Sequence, residues 1–166
     1  MKAKIYLMLG IFIFLFIGCT KETIVENDAP QIEVFEVVTN FNATNNFSRL
    51  VPFNPPLFTS DIVLVYIQWD QFNGSPVWRL VPQTVQLPLG DIQYNFDYTR
   101  FDANIFMSSA DINLNSLGAE WTNNQRFRIV ILPGFFVQQM RLDYSNYNNV
   151  ISKLNSNFDV KIKNLN

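Results

Sequence analysis

Apolar and polar residues alternate over several short segments of this sequence. The clearest of these segments has four apolar residues that alternate with polar ones: Ile92, Tyr94, Phe96 and Tyr98. A period of two places successive side chains on opposite faces of an extended chain, so the segment predicts a strand with one buried face. Residues 158–162 alternate in the same way, residues 32–38 are β-branched and alternate in part, and residues 103–107 are predicted to form the strand beside 92–98. Several short strands separated by turn residues indicate an antiparallel β-sandwich.

Two segments, 62–69 and 126–132, are far more apolar. In 62–69 (IVLVYIQW) both alternating sets of side chains are apolar. This pattern predicts a central strand that is covered on two sides. Residues 127–132 are predicted to form a second central strand, which stops at Pro133 and Gly134.

The period changes near the C-terminus. One apolar stripe with the spacing of an amphipathic helix is formed by Tyr147, Val150, Ile151 and Leu154. Such a helix could cover an outer sheet face, which would explain the doubly apolar segment 62–69. Lysines flank Ile162 and suit an edge strand. The predicted fold class is mostly β: an antiparallel β-sandwich, immunoglobulin-like or related, with one C-terminal helix and a terminal edge strand.

Turn residues predict where the strands stop. Residues 40–59 contain three prolines and clustered asparagines, and predict a loop. Pro82 interrupts the segment 77–87 and predicts an edge or a bulge there, because proline has no N–H to donate. Ile112 and Leu114 alternate with polar residues in the manner of a strand. Asp143 or Ser145 is predicted to cap the C-terminal helix.

The N-terminus has the layout of a secretory leader. Lys2 and Lys4 precede an apolar run at 5–17, and Gly18 and Cys19 follow it. The run is shorter than the roughly 20 residues that span a bilayer. Residues 16–19 (FIGC) resemble a bacterial lipobox, whose cysteine is diacylated and becomes the first residue of the mature protein.

The chain therefore divides into three predicted parts. Residues 1–18 form a lipoprotein signal peptide, residues 19–30 comprise the lipidated Cys19 and a polar tether, and residues 31–166 form a single β-rich domain. Residues 20–30 (TKETIVENDAP) would reach on the order of 35 Å when extended. The predicted location is the cell envelope, anchored to the outer membrane by lipid.

Charge restricts the partners. Loss of Lys2 and Lys4 with the leader reduces the 12 basic residues to 10 against 14 acidic ones, a net charge of about −4 (10 − 14). Nucleic acid is therefore not an expected partner, because binding to phosphates requires excess Lys and Arg. Anionic lipid would also repel the domain, so the expected contact with the membrane is through the lipid anchor. Cys19 is the single cysteine, and once it is lipidated no disulfide can form within the chain.

The composition excludes several kinds of active site. The chain has no histidine, and its cysteine is assigned to the anchor. Ser-His-Asp and Cys-His catalysis and the usual zinc sites are thereby excluded. The glycines are isolated, so no phosphate-binding loop is present. Residues 111–122 resemble a calcium loop only superficially, since Ser116 and Thr122 replace its glycine and glutamate. We expect no catalytic residues, no cofactor and no metal.

Two groups of residues leave an alternative open. Carboxylates could in principle supply a pair for glycoside hydrolysis, although their spacing does not show that they meet: Asp91, Asp97, Asp102, Asp111 and Glu120. Aromatic residues could stack on sugars, although alternation favours a place in the core for most of them. Trp69 and Trp78 flank the turn at 71–75 and are the candidates for ligand contact.

Several segments in a matching order resemble a family of small envelope lipoproteins of the Bacteroidota. They are 61–67 (DIVLVYI), 78–85 (WRLVPQTV), 92–100 (IQYNFDYTR), 117–134 (LGAEWTNNQRFRIVILPG) and 143–154 (DYSNYNNVISKL). The resemblance implies a secreted β-rich domain and assigns no activity. Residues 20–22 (TKE) look like part of a surface-export signal, but Thr23 replaces its second acidic residue. The face of the outer membrane is therefore left open.

The function expected from these observations is that of a non-enzymatic binding or adaptor module anchored to the outer membrane. Its partner would be an envelope protein or a glycan. The alternative is a carbohydrate-contacting module or weak glycosidase.

Overall fold

The computed structural model describes residues 32–139, 142–158 and 160–165. The signal peptide, Cys19 and the tether predicted from the sequence lie outside these residues. The strands are β1 (Glu33–Thr39), β2 (Ser48–Pro52), β3 (Ile62–Phe72), β4 (Ser75–Leu80), β5 (Gln83–Leu87), β6 (Gly90–Tyr98), β7 (Asp102–Ser108), β8 (Gln125–Leu132) and β9 (Lys161–Asn164). The α-helices are α1 (Ala119–Thr122), α2 (Gly134–Gln139) and α3 (Tyr147–Asn155). Within the described ranges, none of the helices has the length and apolarity needed to cross a membrane.

The strands form two sheets, as a β-sandwich requires. One has five strands in the order β4-β3-β8-β1-β9, and the other has four in the order β2-β7-β6-β5. The predicted mostly β, sandwich-like fold with one C-terminal helix and a terminal edge strand is confirmed. The strands pair antiparallel except β9, which lies parallel to β1 at the edge of its sheet. Both predicted central strands, β3 and β8, lie in the interior of the five-stranded sheet.

The main core lies between the two sheets. Alternate residues of β3 point into it, including the buried Val63, Val65 and Ile67. From the opposite sheet Ile92 and Tyr94 are also buried, as the alternation in β6 predicts. The Tyr94 hydroxyl donates to the backbone carbonyl of Trp121 at 2.6 Å, so the one polar atom of this ring is satisfied.

A second core covers the outer face of the five-stranded sheet. Leu64 and Tyr66 of β3 point to this side, where Val150 and Leu154 of α3 pack on them. The Tyr66 hydroxyl donates to the carbonyl of Tyr144 at 2.7 Å, just before the helix. The prediction that the C-terminal helix covers the doubly apolar strand is confirmed.

Turn chemistry fixes the hairpin between β3 and β4 and the crossover that follows it. Asn73 and Gly74 have positive φ values of 50° and 77°. These values suit the tight turn that matches the twist of a hairpin. Pro82 then separates β4 from β5, which are edge strands of different sheets. Residues 77–87 thus form two edge strands rather than one interrupted segment, and the proline lies in neither but marks the point where the chain crosses between the sheets.

Three predictions from the sequence are wrong. Residues 40–59 are not entirely loop, because β2 pairs with β7 at a sheet edge, where the missing N–H of Pro52 is tolerated. Ile112 and Leu114 are not in a strand; Leu114 begins a short 3-10 helix instead. The cap of α3 is Asn146, whose side chain accepts from the Asn149 N–H at 3.0 Å.

The sandwich has two ends with different loops. The end at which β1 begins is called the proximal end; it carries the loop 53–61, the turn 99–101 and the start of α2. The opposite, distal end carries the β3–β4 hairpin and the segment 118–124 before β8. Hydrogen bonds join loops within each end, for example from Phe41 N to Thr122 O at 2.8 Å at the distal end.

Candidate functional site

A cleft of about 540 Å³ opens on the outer face of the five-stranded sheet, beside α3 and toward the distal end. Register explains which side chains it contains. Glu36 of β1 lies opposite Arg128 of β8, and Arg128 lies opposite Tyr66 of β3. These positions belong to the face that α3 covers, but the helix does not extend over all of it. The lining residues are Glu36, Gln68, Trp69, Gln71, Pro76, Trp78, Glu120, Asn124, Gln125, Arg126 and Arg128.

An irregularity in β3 adds a second tryptophan to the cleft. The register with β4 shifts between Gln68 and Asp70, which leaves Trp69 as the extra residue of a β-bulge. A bulge interrupts the strict alternation of a strand, so neighbouring residues can share a face. Gln68 and Trp69 accordingly both line the cleft.

A carboxylate paired with two guanidinium groups forms the floor of the cleft. Arg128 Nε donates to Glu36 Oε2 at 2.9 Å, and Arg126 Nη1 donates to Glu36 Oε1. Burial opposes ionisation of Glu36, but the hydrogen bonds and attraction from Arg128 and Arg126 outweigh it and leave its pKa below the usual range. The Arg126 side chain remains 42% exposed, so it can still meet a ligand.

Both tryptophans already contact arginines. The Arg128 guanidinium lies 4.4 Å from the centre of the Trp78 ring, and the Tyr147 ring lies 5.3 Å from the same ring. Arg128 Nη1 also donates to the Tyr147 hydroxyl at 2.5 Å. Arg79 lies 4.3 Å from the centre of the Trp69 ring. Trp69 and Trp78 are both half-buried and partly covered by cations, and they pack against the core between the sheets and the outer core respectively.

The five carboxylates considered for hydrolysis do not converge on this cleft. Glu120 lines it, whereas the four aspartates do not: Asp91, Asp97, Asp102 and Asp111. Across the residues that the structure describes, no group of three or more metal-ligating side chains is present. The only other carboxylate lining the cleft is Glu36, which is already paired with two arginines.

The sequence analysis named the two tryptophans, which the structure brings into one cleft, but it did not name the charged floor. Arg126 and Arg128 lie two residues apart in β8 and so share a face, and Glu36 has the same orientation in β1. This spacing of opposite charges on two strands was a detectable signal for a cross-strand ion pair. The amides of Gln68, Gln71, Asn124 and Gln125 carry no comparable signal, because such residues are common in exposed turns.

Comparison of the chain with protein-family models, curated proteins and solved structures gives no match. The resemblance to Bacteroidota envelope lipoproteins therefore remains a prediction. The contents of the cleft are the basis on which a function can be argued.

The ion pairs of Glu36 give a prediction about pH. A carboxylate with a lowered pKa stabilises the fold above its ordinary value of 4.5, and this contribution is lost as pH falls through the folded-state pKa. Glu36→Gln is expected to lower the free energy of unfolding by about 1–3 kcal/mol at neutral pH, because two guanidinium groups lose their partner. Urea unfolding at several pH values should show this difference shrinking below about pH 4.5.

Glu33→Gln is the matched control. Glu33 lies on the same strand and pairs with Lys163, whose side chain is 53% exposed. The Glu33 side chain is itself 16% exposed, but its one cation is half-exposed, so loss of this charge is expected to cost less than at Glu36, about 1 kcal/mol. A loss in Glu36→Gln that does not change with pH would contradict an electrostatic role for Glu36.

Proposed function

We propose that this chain is a lipoprotein anchored to the outer membrane by Cys19, with a non-enzymatic binding or adaptor domain whose contact surface is the Trp69–Trp78 cleft. The leader and the lipobox-like segment support the anchor. The observation that carries the binding role is the joint placement of both tryptophans, Arg126 and several side-chain amides in one cleft. Tryptophan and arginine are the residues most enriched where proteins contact partners.

The rigidity of the cleft also supports a binding role. The pairs formed by Arg128 with Glu36, Trp78 and Tyr147 hold these side chains in place before any ligand arrives. Binding then costs less, since fewer side chains must be ordered. The partly exposed Arg126 can offer donors to a carboxylate or an amide carbonyl of a protein partner.

Glycoside hydrolysis has less support than binding. A general acid must hold a proton near neutral pH, which requires a raised pKa. The pKa of Glu36 is shifted in the opposite direction. Glu120 is exposed to solvent, and the only other carboxylate lining the cleft is Glu36, which is already paired with two arginines.

Glycan contact is the second candidate. The same cleft combines two indole rings with the amides of Gln68, Gln71, Asn124 and Gln125. Neutral hydroxyl groups pair well with amides, and sugar faces pack on aromatic rings. The arginines over both rings leave less ring surface for such stacking, which favours a protein partner over a sugar.

A photo-cross-linking experiment in cells tests the proposal. A photoreactive amino acid at Gln71, an exposed residue lining the cleft, is expected to give a discrete cross-linked band that contains an envelope protein. Gln86 is the matched control, because it is an exposed glutamine on β5, an edge strand of the opposite sheet. The band should appear from Gln71 and not from Gln86.

The other outcomes separate the candidates. Equal bands from both positions, or none, would contradict an adaptor role for the cleft. Glycan-array binding by the mature protein that Trp69→Ala abolishes would favour the second candidate instead. Because Trp69 packs against the core between the sheets and Trp78 packs against α3 through Tyr147, urea unfolding of the variant is the control for a loss of fold.

A further inference from the structure

Three exposed phenylalanines are carried by neighbouring elements at the proximal end of the sandwich, and one of them, Phe135, also meets the Phe158 ring at 6.4 Å. Phe58 is 62% exposed, Phe101 57% and Phe135 42%. They come from three separate elements: the loop before β3, the turn between β6 and β7, and the start of α2. Single exposed apolar residues are ordinary, whereas several on adjoining loops are typical of a contact surface.

Hydrogen bonds hold these three elements against one another. Leu57 N donates to Arg100 O at 2.7 Å, which joins the loop of Phe58 to the turn of Phe101. Asp61 accepts from Phe58 N at 3.0 Å and from Gly134 N at 3.4 Å, which joins the same loop to the residue before Phe135. The three rings are thus carried on one connected platform.

The chain enters the domain at this same end. β1 begins at Glu33. Because β8 is antiparallel to both β1 and β3, the end of β8 at Leu132 and the start of β3 at Ile62 lie at the same end of the sandwich as Glu33. Residues 20–32 separate Cys19 from β1 and can span at most about 45 Å. If Cys19 carries the lipid, the bilayer surface lies within that distance of the proximal end.

We propose that the proximal end is a membrane-docking surface, on which Phe58, Phe101 and Phe135 insert into the interfacial region of the bilayer. The proposal rests on the proposed lipid anchor. Phenylalanine rings gain free energy on leaving water for the acyl boundary. Arg100, whose guanidinium lies 5.4 Å from the Phe101 ring, is placed to meet lipid phosphates.

The tether favours a bilayer over a protein as the occupant. A lipid anchor raises the effective concentration of the membrane at this end without any other contact, so even a weak apolar surface becomes occupied. The mature chain is net negative, so the contact depends on the rings and does not require anionic lipid. Docking by this end leaves the Trp69–Trp78 cleft, which lies toward the distal end, facing away from the bilayer.

Cysteine scanning of the full-length lipoprotein tests the proposal. Once Cys19 is acylated, a cysteine introduced by Phe58→Cys, Phe101→Cys or Phe135→Cys is the single free thiol. Each mature variant is purified, labelled with an environment-sensitive fluorophore and reconstituted into phosphatidylcholine vesicles that contain a spin-labelled quencher lipid. Phe72→Cys is the control, because Phe72 is 71% exposed at the distal hairpin.

The three proximal labels are expected to shift to the blue, to be quenched by the spin-labelled lipid and to resist aqueous iodide. The Phe72 label should be quenched by iodide alone. Quenching of all four labels by iodide would overturn the proposal. Proximal labels that neither iodide nor the spin-labelled lipid quenches would also overturn it, because they would indicate a contact with protein. Labelling of the wild-type protein at Cys19 would show instead that the anchor itself is absent, and both proposals would fall.

Discussion

Replacing Phe127 by alanine is expected to lower the free energy of unfolding by about 3–5 kcal/mol. Phe127 lies in β8, the middle strand of the five-stranded sheet, and its side chain is fully buried in the core between the sheets. Its ring makes edge contacts with Phe41 at 5.9 Å and Tyr94 at 6.2 Å. Truncation leaves a cavity that the rigid neighbouring strands cannot close.

A loss of this size is a large part of the 5–15 kcal/mol that typically stabilises a domain. Urea unfolding followed by circular dichroism measures it. Phe72→Ala is the control, because the same ring is removed from a position that is 71% exposed in the same sheet. The control should change the free energy of unfolding by less than about 0.5 kcal/mol. Equal effects of the two substitutions would show that the core is not where the structure places it.

The order of apolar and polar residues along the chain was sufficient to predict strands with two buried faces and helices with a clear apolar stripe. In β3 both faces are apolar, and this required a covering element on each side of the sheet. The helical stripe of Tyr147, Val150 and Leu154 supplied one of them. Both inferences need only the periods of strands and helices, so they did not depend on the three-dimensional arrangement.

The features that the sequence did not predict depend on context. β2 has one fully buried side chain, Val51, and three exposed residues, Arg49, Leu50 and Pro52, so its apolar signal is weak. Its pairing with β7 spans more than fifty residues, which local pattern cannot reveal. Asn146 caps the helix and lies one residue after Ser145 and three after Asp143, the two predicted caps. Sequence determines the ends of helices poorly over such short distances.

The sequence named only part of the candidate site, because the rest of the site also depends on long-range strand pairing. Trp69 and Trp78 flank a turn that is visible in the sequence, so their proximity was foreseeable. The register of β1 against β8 decides that Glu36 meets both arginines. The bulge at Trp69 depends on the pairing with β4 and changes which residues share the cleft. Long-range register of this kind is not contained in the period of any one strand.

Cys19→Ser is expected to move the protein out of the membrane fraction while leaving the β-sandwich folded. The serine cannot accept the acyl chains by which the mature protein would be held, and each methylene buried in the bilayer contributes about 0.8 kcal/mol. Docking by three phenylalanines is too weak to replace this anchor, since stable attachment needs two strong signals. The net negative domain adds no attraction to anionic lipid.

Metabolic labelling with a clickable fatty acid, followed by fractionation, measures the effect. The wild type should be labelled and should require detergent for release. The serine variant should be unlabelled and should collect as soluble mature protein, or as an uncleaved precursor if acylation precedes cleavage. The circular dichroism of the soluble variant should still be that of a β-rich protein, because residues 20–32 separate position 19 from β1. Unlabelled wild-type protein of mature size would show that Cys19 is not an anchor, and the proposed location would then be wrong.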